Sequence, residues 1–188
     1  YWHWHSIHAG QETYWRGVLS HDLEPNRAYA EVSRIAHELQ KVGPQVVNMK
    51  IANDVAILYS TDSSNAIGFM PYSYSGGYNA SLQQLHRALY KANVGADFVF
   101  PTTTNLSQYK LLIVPSLYVA DDALLKRISD YVHGGGHVLM TLKSGFTNEN
   151  SAVRWEKAPG PLREAAGFTY QEFSNLERPL ALRGDPFH

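Results

Sequence analysis

Cysteine is absent from all 188 residues. Disulfides, thiolate zinc sites and cysteine nucleophiles are therefore excluded outright. The redox character of the compartment stays open, because proteins without cysteine occur in every compartment. No apolar run approaches the roughly 20 residues that a membrane-spanning helix needs. Excess positive charge is missing too. The net charge is −1 and the pI about 6.8, and no Lys/Arg run offers the basic patch that a nucleic-acid backbone demands. There is no G-x-G-x-x-G, no phosphate loop and no G-x-S-x-G, so the common nucleotide cradles and the serine nucleophile elbow have no sequence support.

What is present describes a globular chain, with 44% hydrophobic and 18% charged residues. The length suits one ordinary domain, or a small domain joined to a piece of another. Aromatic residues reach 12%, and three of the four tryptophans fall within the first fifteen positions. That bias suits a carbohydrate site, where ring faces cover the apolar faces of sugars, and equally a core rich in tyrosine. The chain opens on Tyr1-Trp2-His3-Trp4 without Met and closes on Asp185-Pro186-Phe187-His188 without a polar tail. Both ends are expected to be internal to a longer polypeptide.

Residues 1–5 read as a short aromatic strand, and residues 6–26, with Gly10, Gly17 and Pro25, as a long loop of the length that usually binds or catalyses. Asn26 is a candidate N-cap for a helix over 27–41, with Ala28, Val32, Ile35, Ala36 and Leu39 on one face and Gly43-Pro44 as its stop. The pattern then changes. The run 54–59 is nearly continuously apolar, as in parallel strands covered on both faces, and 110–115 reads as another buried strand. Shorter strands are expected at 96–100 and 137–141. Helices are expected at 80–93, with Leu82, Leu85, His86 and Leu89 on one side, and at 121–132, with Leu124, Leu125, Ile128 and Val132 inward. Residues 60–79 read as a loop, Gly134, Gly135 and Gly136 as a helix cap and turn, and 159–168 as holding a short helix. Strand, helix, strand, strand, helix, strand is a doubly wound α/β order.

The sharpest motif is Tyr1-Trp2-His3-Trp4-His5-Ser6 followed by Gly10-Gln11-Glu12-Thr13-Tyr14-Trp15. Side chains alternate along a strand, so Trp2 and Trp4 share one face and His3 and His5 the other. Two readings fit. At the C-terminal end of a barrel strand, these residues line an active-site mouth and Glu12 accepts hydrogen bonds from sugar hydroxyls. Alternatively, an aromatic core strand precedes a surface loop bearing an ordinary exposed Glu. The histidines His3, His5 and His8 have no partner at a recognised metal spacing, so packed or hydrogen-bonded imidazoles are expected. Ser116 and Ser144 follow strands, but neither has a glycine frame on both sides. Asp121 and Asp122 read as capping and dipole compensation, and Glu149 has no pairing partner. The α/β part looks chemically silent.

Over residues 1–33 the wording becomes specific. Tyr1 to Ser6, His8-Ala9-Gly10-Gln11-Glu12, Gly17, Leu19, Ser20-His21-Asp22 and Glu24-Pro25-Asn26-Arg27-Ala28-Tyr29 resemble the last barrel strand and following helix of family 42 glycoside hydrolases, the β-galactosidases. The resemblance continues into the helix Ala28–Leu39 and then, over Asp54–Thr141 and less distinctly onward, to the amidotransferase-like α/β unit with which that family trimerises. The resemblance implies an α/β chain: residues 1–46 are the end of a (β/α)8 barrel. Residues 47–188 are a flavodoxin-like, class I glutamine amidotransferase-like doubly wound trimerisation domain, truncated at its C-terminal end. It implies retaining hydrolysis of terminal β-D-galactosides by two glutamates on earlier strands, upstream of Tyr1. No catalytic residue, cofactor or metal is then expected among these 188. Substrate-binding residues carried over are Glu12, which matches the family's galactose-binding carboxylate, Trp15, and Trp4. Some members have a sugar-contacting His where Trp15 stands, so ring contact remains and the polar bond is lost. The expected partners are the galactoside and two further copies, with neither nucleic acid nor membrane, in a cytoplasmic location.

Overall fold

The computed structural model describes residues 3–11, 13, 17–69 and 76–178. The chain divides into two compact units, Tyr1–Ile51 and Ala52–His188.

In the first unit, helix α1 spans Arg27–Val46. The Asn26 side chain accepts the Tyr29 amide at 3.1 Å, as an N-cap should, and its own amide donates to Ser20 Oγ. The helix does not stop at Gly43-Pro44 as expected; Pro44 lies inside it. A proline in the last turn removes one intrahelical donor, and the carbonyl it strands belongs to exposed Gln40, which solvent can reach. The Val47 amide then closes the helix on the Gly43 carbonyl at 2.9 Å. None of the residues of α1 is buried. Of the strand expected over residues 1–5, residues 1 and 2 lie outside the described residues, and the described part forms an isolated parallel bridge between His5 and Leu19. A strand is stabilised by its ladder, and one segment without neighbours on both sides has no ladder to join.

The second unit is a four-stranded parallel sheet. Strand β1 (Val55–Leu58) is followed by helices α2 (Thr61–Gly68) and α3 (Gly77–Lys91) and by strands β2 (Ala96–Val99) and β3 (Leu111–Val114). Helix α4 (Asp122–His133), strand β4 (His137–Met140), a single 3-10 turn (Gly160–Leu162) and helix α5 (Arg163–Ala166) complete it. The strand order is β2-β1-β3-β4. Val55 lies opposite both Ala96 and Leu111, and Leu111 opposite His137. Alternation along the strands feeds two cores. Ala56, Leu58, Leu112 and Val114 pack with Leu124, Leu125, Ile128 and Tyr131 of α4. Val55, Ile57 and Ile113 pack on the other face against Leu82, Leu85 and Leu89 of α3. Central β1 is buried at every position, whereas edge strand β4 alternates between exposed and half-buried.

Helix α2 replaces part of the loop expected at 60–79. Its sequence has no apolar period; what holds it is the Ser60 cap, whose hydroxyl accepts the Ser63 amide at 3.1 Å, with Asp62 in the first turn. The turn from α4 into β4 needs its glycines. Gly135 has φ +94°, and a Cβ on Gly136 would lie 2.2 Å from the Tyr131 ring. That ring is fixed by its hydroxyl donating to the Tyr109 carbonyl at 3.0 Å. Among the described residues no helix is long and apolar enough to cross a membrane.

Candidate functional site

In the first unit, the opening segment runs alongside residues 17–19. The amides of Val18 and Leu19 donate to the carbonyls of His3 and Trp4 at 3.2 and 2.8 Å. Gly17 permits this approach: a Cβ there would sit 2.4 Å from the His5 backbone, well inside van der Waals contact. The Trp4 ring meets Tyr29 of α1 edge-on, with centroids 6.2 Å apart and planes at 74°, and it remains 59% exposed. Strand end, loop and helix start thus surround an open depression lined by Ser6, His8, Thr13, Leu19, His21 and Asn26. Ile7 and Ala28 add apolar surface beside Leu19, while the hydroxyls of Ser6, Thr13 and Ser20, the Asn26 amide and the two imidazoles offer donors and acceptors of the kind that sugar hydroxyls engage. Of the three residues expected to touch substrate, Trp4 packs on Tyr29 and is not among the residues that line the depression. Glu12 and Trp15 lie outside the described residues.

The histidines do not converge on a metal. His5 Nδ1 donates to the Ser6 carbonyl at 2.8 Å, and its ring lies 5.8 Å from that of His8, tilted by 41°. Among the described residues no group of three or more His, Asp or Glu side chains is placed to hold an ion.

In the second unit the place to search is the crevice at the carboxyl ends of β1 and β3, where the order of strands reverses and open α/β sheets receive ligands. Among the described residues, hydrogen bonds from α2 and α3 cross it. Ser63, wholly buried at the start of α2, donates its hydroxyl to the Val119 carbonyl at 3.1 Å and accepts the Val119 amide at 3.0 Å. Tyr78 of α3 closes the side, accepting the Ser60 amide at 3.0 Å and donating to the Leu58 carbonyl at 3.4 Å. Burial pushes its phenol pKa up, so it stays a neutral donor.

Neither serine after a strand is armed. Ser116 does adopt a left-handed φ of +38°, but its hydroxyl faces Thr141 Oγ1 at 3.2 Å, and its amide donates to the same atom at 2.7 Å. A threonine hydroxyl is no general base. Ser144 donates to the Thr141 carbonyl and accepts the Leu117 amide, both at 3.0 Å. Asp121 caps α4 by accepting the Leu124 amide at 2.7 Å, and Asp122 pairs with Arg154 at 2.5 Å.

One group escaped the sequence reading. Lys143 follows β4 with φ +63° and is only 3% exposed. Its Nζ lies 3.9 Å from the Phe173 ring centroid, 5.1 Å from that of Phe146 and 5.8 Å from that of Tyr118. Burial pulls the ammonium pKa down to about 8, while the ring faces offset part of that loss by attraction to the cation. The three rings come from positions 118, 146 and 173, so no local pattern announces the cage.

A four-stranded parallel sheet with helices packed on it defines a class, an open-sheet α/β domain. The comparisons narrow it. Residues 53–181 match the beta-galactosidase trimerisation domain family, and the chain belongs to that family. The relatives include a beta-galactosidase of Clostridium cellulovorans, 31% identical over 92% of this chain and 26% of its own. Another, from Halorubrum lacusprofundi, is 29% identical over 99% of this chain and 27% of its own. Among solved structures, the beta-galactosidase of Bacillus circulans sp. alkalophilus superposes with a TM-score of 0.75 at 27% identity, over 85% of this chain and 24% of that one. A catalytic mutant of a GH42 beta-galactosidase from G. stearothermophilus gives 0.76 at 26% identity, over 87% and 24%. The chain thus spans about a quarter of the length of the curated relatives it matches.

Proposed function

We propose that this chain serves a retaining β-galactosidase that hydrolyses terminal β-D-galactosides, supplying one edge of the galactose pocket and the domain through which three copies assemble. The observation that carries the reading is the match to beta-galactosidase relatives along nine-tenths of the chain, 92% in one case, which takes in both units. In this reading residues 1–46 close a (β/α)8 barrel and residues 47–188 form the trimerisation domain. The two catalytic glutamates belong to barrel strands that precede Tyr1. The strand order β2-β1-β3-β4 supports a flavodoxin-like reading of the sheet, and the hydrogen bonds across its switch point suit a domain that uses surfaces for its work. Nucleotide or flavin binding is disfavoured by the Ser63–Val119 contacts that occupy the switch point.

Within the pocket edge, Glu12 would accept charge-assisted hydrogen bonds from two adjacent sugar hydroxyls, which fixes the ring's orientation. Trp15 would add ring contact, and Trp4, held against Tyr29, a strand-end aromatic wall. In the intact polypeptide, Glu12→Gln should lower kcat/KM on a nitrophenyl β-galactoside by roughly 30- to 1000-fold, the equivalent of about 2–4 kcal/mol of transition-state binding, with the assembly unchanged in light scattering. Unchanged kinetics would remove Glu12 from the sugar site. Removal of residues 52–188 should leave monomers, and a trimer that persists would refute the assembly role.

A further inference from the structure

The largest exposed side chain of the second unit is held in place by a built support. Trp155 is fully exposed, and Val153, two residues before it, is 58% exposed. The loop that carries them is pinned at several points. Thr147 bridges to Val153, the Arg154 amide donates to the Phe146 carbonyl at 3.1 Å, and the Asn148 side chain accepts the amides of Asn150 and Ala152, each at 3.0 Å. The Arg154 guanidinium, itself buried, donates to the Ala120 carbonyl at 2.7 Å and pairs with Asp122. An indole presented on a pre-organised loop loses little entropy on docking, which is the signature of an interface anchor.

A receiving surface lies at the far side of the sheet order. Strand β2 forms one edge and β4, which leads into the Trp155 loop, the other. On β2 and α3 there is a shallow apolar depression lined by Leu82, Gln83, His86, Arg87, Tyr90 and Phe98. Its floor is the stacked pair His86–Phe98, with centroids 6.1 Å apart and planes at 21°, and its rim is Tyr90, 77% exposed. Charge agrees with shape. Helix α3 bears Arg87 and Lys91 and no acidic residue. The segment around the tryptophan places Glu156 directly beside it, and the exposed carboxylates of Glu149, Glu156 and Glu164 outnumber the exposed cations of Lys157 and Arg163.

We infer that Trp155 of one copy seats in the α3–β2 depression of the next, with Glu156 facing Arg87. The inference rests on the assembly reading above and gives it a contact. Two different patches on each copy make a heterologous contact, and such contacts close into a ring when the rotation between copies allows it. Apolar area, an aromatic on an aromatic floor and an arginine at the rim are the ingredients of an interface hot spot.

The test uses the intact polypeptide. Trp155→Cys combined with Tyr90→Cys should give cross-linked dimers and trimers on mild oxidation, while either substitution alone gives neither ladder. Trp155→Ala should raise the protomer concentration at which half the trimer dissociates by on the order of tenfold or more in analytical ultracentrifugation. Arg87→Glu and Glu156→Arg should each weaken the assembly, and the two together should restore part of it. A trimeric parent whose double-cysteine variant forms no inter-subunit disulfide overturns the pairing, whatever Trp155→Ala does, and means another part of the polypeptide covers the indole. A parent that sediments as a monomer at every concentration overturns the assembly reading itself, and this contact with it.

Discussion

Helices α1 and α4 start from the same local design and end in different states. Each begins at a polar cap that accepts the amide three residues on, Asn26 from Tyr29 and Asp121 from Leu124. Each carries an apolar stripe at helical spacing, Val32, Ile35 and Leu39 in one, Leu124, Leu125 and Ile128 in the other. Yet α4 buries Leu124, Leu125, Ile128 and Tyr131, whereas α1 buries nothing and leaves Ile35 and Leu39 46% and 59% exposed. An amphipathic period therefore states what a helix requires, not whether the chain in hand supplies it. The second unit meets the requirement with two strand faces; the first, with a single bridge and a loop among its described residues, offers no sheet there.

If that contrast is real, mutations of equal chemistry must differ in effect. Leu125→Ala, at a position with no exposed surface, should cost about 3–5 kcal/mol through lost burial and the cavity left behind, read as a lowered denaturant midpoint of the 188-residue chain. Leu39→Ala in the same chain should stay within about 0.5 kcal/mol. Comparable losses at the two sites would show that α1 is packed after all.

Lys143 sharpens the contrast from inside the closed unit, since only a completed core can desolvate a cation. Its folded pKa, about 8, lies below the roughly 10.4 of an unfolded lysine. Between those values the unfolded chain binds more protons than the folded one, so stability rises with pH across that window. The ammonium's penalty is present in full below pH 8 and lifted as pH climbs to about 10.4, with up to about 3 kcal/mol at stake and less to the extent that the ring faces hold the cation. Lys143→Met should abolish this rise. Buried tyrosines with raised pKa values, Tyr78 and Tyr131 among them, act in the opposite sense above pH 10, so the lysine's share is the difference between parent and variant profiles. Parallel profiles would mean that Lys143 titrates as it does in water.

Much of the second unit was legible in its sequence for the same reason it is stable. The continuous runs at β1 and β3 and the stripe on α4 face partners within the unit, so pattern and packing agree. Helix α2 was illegible because tertiary bonds hold it: Ser63 is buried by Val119, 56 residues away, and Thr61–Gly68 has no apolar period to give notice. Pro44 misled in the other direction, since a proline is tolerated in an exposed last turn. Glu12, the residue on which the sugar reading leans most, is proposed from the likeness of its surrounding motif and from no physical pattern; a lone Glu in a loop looks the same whether it binds galactose or water. The Lys143 cage had no local signal at all, because its rings are brought together only by the fold.

The smallest expected effect tests the comparison most directly, because it uses one local device in two settings. Removing either cap should cost its own helix about 1 kcal/mol. In α4 that loss passes to the sheet through Leu124 and Leu125, so Asp121→Ala should lower the global stability of the second unit by about that amount. In α1 no core residue carries it onward. Asn26→Ala should leave the midpoint of the second unit where it was and instead fray the first turn, speeding amide exchange at Tyr29 by roughly fivefold. The Ser20 contact of Asn26 would go with it, loosening the loop that bears Gly17. Were Asn26→Ala to lower the global midpoint as far as Asp121→Ala does, α1 would be coupled to the core, and its bare apolar face would need another explanation.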